Sequence, residues 1–312
     1  MRRALVILIL LGLGVVVGAT QGAEHGKLRV EREPGRVFLR GPSGNALVVY
    51  QTERPRAAQL SVESGCFFHP LYTPAGVALT DLAPPDHRHH RGIFLGWVEM
   101  RGRKNADFWG WGAHAPTQDC RIVSRGITGI WQKSAAAGFR TRNDWMAGDD
   151  PLVREDLEMQ LKVVPGAHVL DLEYRLRTDE DLTLVQWAFS GFCVRGRKDG
   201  SVVAHAPGRI VDLPNPDHLK PESDWPDAPW YAFAMKLPGD VQAGMAVLSH
   251  PKNPRTRWYN DRDIRVLNPS ITALGDVTLK SKKPLLLRYR VVAFDGPIPG
   301  PLLDSLAAEW AR

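Results

Sequence analysis

Apolar and polar residues alternate with period two over much of the chain. Across residues 168–177, Leu170, Leu172, Tyr174 and Leu176 share one side while Asp171, Glu173, Arg175 and Arg177 share the other, as in an antiparallel strand with one buried face. Leu157, Met159, Leu161 and Val163 repeat the pattern just upstream. The intervening Val164-Pro165-Gly166-Ala167 is turn chemistry, so the two segments predict a hairpin. Further strands are predicted at 27–33, 37–40, 46–51, 121–131, 182–193, 230–237, 243–249 and 285–294. Helical character is confined to 305–310, opened by Asp304, within a C-terminal segment 301–312. The Pro-rich stretch 213–229 reads as a long loop inside the fold. The expected architecture is all-β: one large antiparallel β-sandwich domain over residues 24–300, closed by a short helix.

Composition agrees with that reading. The 312 residues include 24 Pro and 29 Gly, and each Pro costs a helix interior about 3 kcal/mol and each Gly about 1 kcal/mol. The formal charge is +6, and removing Arg2 and Arg3 with a leader leaves +4. So small an excess points away from a nucleic-acid partner. Such a leader is readable: Met1-Arg2-Arg3, an unbroken apolar run over 4–17, then the small residues Gly18-Ala19 and Gly22-Ala23. This is a secretory signal peptide over 1–19, with 23 as a later cleavage point and a mature N-terminus expected between Thr20 and Glu24. The protein is therefore expected to be exported, to the periplasm or beyond the cell. No later apolar run approaches the ~20 residues of a bilayer span, so no stable membrane span is expected after cleavage. Cys66, Cys120 and Cys193 form no CxxC pair, and their spacing allows one disulfide with an odd thiol or three free thiols.

Three groups of residues are candidates for chemistry. The densest is Pro84-Pro85-Asp86-His87-Arg88-His89-His90-Arg91-Gly92. On an extended backbone His87 and His89 would point the same way, the spacing that presents two imidazoles to one divalent metal, with His90 on the opposite face unless the prolines break the pleat. Asp86 could orient an imidazole, while Arg88 and Arg91 favour an anion or a hydroxyl-rich ligand over a bare cation. A solvated basic loop, or histidines bonded for structure alone, would give the same string. The second group, 104–114, sets Asp107 and Trp109 beside Trp111 and His114; a ring there could pack on the C–H face of a sugar while Asp107 takes its hydroxyls, and a tight turn with buried aromatics is the alternative. The third presents His250, Arg255 and Tyr259 among His-Pro and Asn-Pro steps that are turn chemistry first. The chain lacks GxSxG, GxxxxGK[ST], HExxH and a strand-borne GxGxxG. All three groups are expected to converge on one pocket.

Taken with His69-Pro70-Leu71-Tyr72-Thr73-Pro74-Ala75-Gly76, Gly96-Trp97, Asp107-Phe108-Trp109, His250-Pro251-Lys252-Asn253-Pro254-Arg255, Asn268-Pro269 and Leu287-Arg288-Tyr289-Arg290, the histidine motif resembles a bacterial family that carries the label methane oxygenase PmoA. The resemblance covers nearly the whole mature chain. It implies an exported β-sandwich protein of the kind found beside sugar-catabolic genes, with no settled activity. A particulate methane oxygenase subunit is an integral membrane protein with many apolar spans, so the label fits this sequence poorly. More loosely, the architecture is similar to the galactose-mutarotase-like supersandwich, which binds sugars across a concave sheet with His and acidic residues.

The leading expectation is an exported carbohydrate-active enzyme acting on a sugar or modified glycoside, a small-molecule partner. His89 and His90 would be its acid/base groups, Asp86 their orienting carboxylate and Arg91 the partner of a substrate oxygen. His87 and His89 would hold a divalent metal if one is present. Asp107, Trp109, His250, Arg255 and Tyr259 would bind the substrate. The alternatives are a non-catalytic carbohydrate-binding or envelope protein, in which the same groups only hold ligand, and a metal-dependent oxygenase.

Overall fold

The computed structural model describes residues 27–311; the expected leader 1–19 and the mature N-terminus lie outside them. Two antiparallel sheets stack face to face. One has seven strands in the order Arg29–Glu33, Arg36–Arg40, Ala46–Gln51, Phe67–Leu71, Ile93–Gly96, Gly191–Arg195 and Val266–Leu267. The other has nine, from Arg209–Ile210 at one edge through Ser201–Ala206, Trp230–Leu237, Val241–Ser249, Leu285–Asp295, Ala167–Arg177, Asp150–Val164 and Ala136–Ala147 to Cys120–Gln132. The protein is thus an all-β sandwich. The expected hairpin closes with Val164 opposite Ala167.

Alternation decides what lies between the sheets. Leu170, Leu172, Tyr174 and Leu176 meet Tyr50, Phe68, Ile93 and Leu95 of the facing sheet in one continuous core. The opposite faces find different covers. Over the nine-stranded sheet lies the helix Gly300–Trp310, whose Leu303 and Leu306 pack on Ala167, Val169, Leu248 and Val292. That is why Ala167–Leu170 are buried on both sides whereas Arg175 and Arg177 further along are exposed. Arg290 fastens the helix: it grips Asp171 through two hydrogen bonds of 2.5 and 3.0 Å, donates to the Leu306 carbonyl and packs over the Trp310 ring. The helix starts four residues before the expected Asp304, whose carboxylate instead accepts a hydrogen bond from Trp230 Nε1 at 2.9 Å. Loops, not a helix, cover the outer face of the seven-stranded sheet, and Phe67, Phe94, Cys193 and Val266 face into them.

The expected strand 182–193 proves to be two, Leu182–Leu184 and Gly191–Arg195, in different sheets. Between them the backbone finds its partners elsewhere: Val185 N donates to the Glu99 carbonyl, Gln186 N to Asp276 and Ser190 N to Asn268. Such bonds satisfy the chain as well as a ladder would and leave no trace in local periodicity. All three cysteines are free thiols. Among the described residues no helix is long and apolar enough to cross a membrane.

One polar group interrupts the inner face of the strand Asp150–Val164. Glu155 sits between Val153 and Leu157 in the sandwich interior and accepts hydrogen bonds from Asn143 Nδ2 at 2.6 Å and Trp145 Nε1 at 2.9 Å, while Tyr50 bonds to Asn143 from the facing sheet. Burial pushes its carboxyl up to about 7 against the pull of those two donors. The titratable groups around it are Tyr50, Cys66, Tyr174 and Asp156. With the folded value above the unfolded one, the stability associated with protonated Glu155 is complete below the unfolded pKa and is lost as pH rises through about 7. Urea unfolding of Glu155→Gln and the parent at pH 5 and pH 8 should show the variant's relative stability growing by about 2.5 kcal/mol over that interval. A constant difference would mean that the carboxylate ionises freely where it stands.

Candidate functional site

The histidine motif is not a strand. His87 N bonds to the Pro84 carbonyl at 3.0 Å and His90 N to the His87 carbonyl at 2.9 Å, giving two successive turns. Bonds from Ala83 N to His90 O and from Gly92 N to Asp81 O close the loop at its base. Gly92 makes this path feasible: its φ is +62°, and a Cβ there would stand 2.2 Å from the Phe68 carbonyl oxygen. The expected sharing of one face by His87 and His89 alone is therefore overturned. All three imidazoles gather instead, with His87 stacked on His90 at 4.8 Å, and His89 edge-on to His90 at 4.6 Å and to His87 at 5.7 Å.

A buried arginine sets the polarity of this cluster. Arg195, fully enclosed, donates Nη1 to Nδ1 of His90 at 3.1 Å and Nη2 to both oxygens of Asp86 at 3.0 and 3.2 Å. A guanidinium can only donate, so His90 Nδ1 accepts and the proton of the neutral ring sits on Nε2. Burial, with the charges of Arg195 and Arg91 nearby, keeps the His90 pKa well below its ordinary value, so the ring is neutral at pH 7. Burial likewise brings His89 down to about 3. Asp86 answers to opposing effects: partial burial raises its pKa, but the Arg195 charge and hydrogen bonds from Arg195 and Lys198 outweigh it and hold the carboxyl well below the carboxylate range. Asp86 thus orients His90 through Arg195, and it lies 3.3 Å from His87 Nδ1.

A metal-bound histidine ordinarily gives its second ring proton to a carboxylate or carbonyl. His90 has the reverse polarity: its Nδ1 takes a hydrogen from a cation, and its Nε2 carries a proton where a ligand lone pair would be needed. Nor, among the described residues, does any group of three His, Cys, Asp or Glu side chains come together in a way that could hold a metal ion.

The three imidazoles open on a cavity of about 250 Å³ on the outer face of the seven-stranded sheet. Trp109, Trp111, Phe189 and Tyr259 form its aromatic walls, and His218, Asp261, Ile264 and Val266 complete it. Trp109 stands edge-on to His90 at 5.8 Å, and Phe189 touches Trp109, Trp111 and Tyr259 at 5.2–5.4 Å. The loop that carries Trp109 and Trp111 is organised by Asp107, which accepts from Gly110 N and Gly112 N at 2.6 Å each. Burial raises that carboxyl to about 6 despite these donors. Gly110, at φ +107°, lets the loop press on the histidines, since a Cβ there would meet His89 Cβ at 2.8 Å.

Several expected roles change. Asp107 is buried outside the cavity and shapes a loop instead of meeting a hydroxyl. Arg91 is likewise enclosed: its guanidinium donates to the carbonyls of His89, Trp109 and Phe108 at 2.8–3.1 Å and stacks on Phe94 at 4.2 Å. It ties the histidine turn to the tryptophan loop and has no face toward a substrate. His250 and Arg255 line a separate cavity of about 530 Å³ beside the C-terminal helix, where the His250 ring lies 5.3 Å from Trp310. The convergence of all three groups on one pocket is therefore corrected: only Tyr259 of the third group reaches the histidines. Half of the ten tryptophans stand in the core away from this cavity: Trp97, Trp145, Trp225, Trp230 and Trp258 are fully buried.

Residues that sequence reasoning passed over are Arg195, Phe189, His218 and Asp261. Arg195 lies 109 positions from Asp86 in no motif, so nothing local reveals it. His218 had a signal in the long 213–229 loop, because loops of that length inside a fold are often functional. Asp261 follows Tyr259 by two residues and is held by its own turn, accepting from Asp263 N and Ile264 N.

The fold and the site together define an all-β sandwich protein with an imidazole-lined, aromatic-walled cavity set in loops over one sheet. By sequence the chain belongs to the family of unknown function DUF6807, whose model matches residues 42–308. That description assigns no activity, and the methane-oxygenase label has no counterpart in it. No curated protein matches the chain. Among solved structures it is similar to the GH36 α-galactosidase AgaB from Geobacillus stearothermophilus, at 10% identity over 88% of this chain and 42% of that one, with a TM-score of 0.48. It is also similar to the galactosidase domain of the α-galactosidase-sucrose kinase AgaSK (10% identity, 86% and 42% coverage, TM-score 0.47). A third is a galactose mutarotase related enzyme from Lactobacillus acidophilus (9% identity, 86% and 97% coverage, TM-score 0.38). The chain spans about two fifths of the length of the galactosidase structures.

Proposed function

We propose that this protein takes a sugar or glycoside into the histidine cavity and acts on it by proton transfer. One observation carries the reading: two neutral imidazoles, one with its tautomer fixed by the buried Arg195, which is itself held by Asp86 at the surface, face a single aromatic-walled cavity. A pyranose offers apolar C–H faces and a rim of hydroxyls, which suits rings on the walls and donors and acceptors between them. His90 Nε2–H donates to a ligand oxygen. His89, neutral and in the lining, takes a proton from the ligand or returns one, and Asp261 supplies a carboxylate acceptor. The expected leader 1–19 would deliver such a protein to where glycosides arrive.

A second reading, a protein that binds the sugar without transforming it, draws on the same histidine. An imidazole held near pH 3 is a weak base, and general bases work best with a pKa near the operating pH. Titration calorimetry and NMR-monitored turnover across a panel of hexoses, hexuronates and their methyl glycosides separate the two. The proposal expects binding and turnover of at least one member, with both lost on competition at the histidine cavity. Binding without turnover leaves the second reading. No binding across the panel removes both.

A further inference from the structure

Beyond the histidine cavity the aromatic surface continues. Trp111 stands edge-on to Trp187 at 5.8 Å, and Trp187 packs against His114 at 4.0 Å. Trp187 lines a second cavity of about 430 Å³, and Leu219 of that cavity is the chain neighbour of His218 in the first. Trp111, in contact with both His218 and Trp187, therefore stands between the two spaces.

The second space is built, not incidental. The Trp187 indole N–H donates to Glu99 at 3.3 Å, and Glu99 is itself buried and held by Arg101 at 2.7 Å. Gln186 fixes the adjacent turn by donating its side chain to the Ala273 carbonyl and its backbone N–H to Asp276. Across from this fixed ring, Leu219 and Leu274 leave 60% and 46% of their surface open. Both leucines line the cavity, and Glu222 and Arg257 add an acceptor and a donor at its edge.

We propose that this second cavity is a subsite continuous with the first, and that the ligand is an oligosaccharide, one unit among the histidines and the next across Trp187. The inference rests on the carbohydrate reading and extends it. The first cavity, at about 250 Å³, is below the usual range for a drug-sized ligand and has room for little more than one ring. A second unit leaving it past Trp111 enters the space between Trp187 and the two leucines.

Calorimetry of the full chain with galactose, glucose and their methyl glycosides, against melibiose, cellobiose and stachyose, tests this. At least one oligosaccharide should bind about tenfold more tightly than its monosaccharide. Trp187→Ala should erase that advantage while changing monosaccharide affinity far less. Because Trp187 is partly packed, a second variant, Leu219→Asn with Leu274→Asp, changes only exposed side chains and should reduce the same advantage without moving the melting temperature. Oligosaccharides that bind no better than monosaccharides, or variants that weaken both alike, overturn the subsite while the carbohydrate reading stands. If no sugar binds, the two fall together.

Discussion

His89→Ala is expected to lower turnover of the accepted sugar by about 10²-fold, the low end of what one positioned acid or base contributes, because its depressed pKa makes it a weak base. The loss should fall on kcat more than on KM, because the aromatic walls that hold the ring are untouched by the change. The pH profile adds an independent check. Burial brings the His89 pKa down to about 3 in the free protein, and the base is active when deprotonated. The parent's kcat/KM should therefore stay flat between about pH 5 and 8 and fall only below about pH 4, unlike the mid-neutral inflection of an unperturbed histidine. If His89→Ala only weakens binding of a sugar that the parent never transforms, the group is a hydrogen-bonding wall and the protein is a binder.

Arg91→Ala should act on the fold before it acts on any ligand. The side chain is wholly enclosed, and its carbonyl partners belong to the two loops that make the cavity. Burial lowers its pKa only to about 10, so it remains a cation at neutral pH. Removing it strips three carbonyls of their donor and opens a void under Phe94. Each buried carbonyl left without a donor costs about 1–3 kcal/mol, so the loss totals several kcal/mol, which for a chain of this size lowers Tm by roughly 10 °C. Thermal unfolding with and without the accepted sugar separates this from a substrate contact. A variant with the parental Tm and weakened binding would return Arg91 to the substrate-holding role that its motif suggests.

The same residues show where reading a motif as a strand goes astray. HxH places two imidazoles on one face only if the backbone is extended. Here Pro84 and Pro85 lead into turns, and the turns fold His90 in beside its neighbours. The direction of a hydrogen bond matters as much as its presence: a carboxylate beside the histidines suggested a base oriented for metal or proton chemistry. The interposed Arg195 makes His90 a fixed donor instead.

By itself the sequence determined the all-β architecture, the 157–177 hairpin and the inward faces of the long strands, because period two is a local property that burial of one sheet face imposes residue by residue. It also singled out the histidine motif, Trp109 and Tyr259, since unusual local density of imidazoles and rings survives as a pattern. Tertiary structure alone decided which of these meet. Arg195 reaches Asp86 across 109 positions, and Phe189 comes from a segment whose backbone bonds run to Glu99, Asp276 and Asn268. His250 goes to the other cavity because the helix covers that face of the nine-stranded sheet. Pairings of that range depend on strand order and on which loops cover which face, and neither leaves a mark within a window of neighbouring residues.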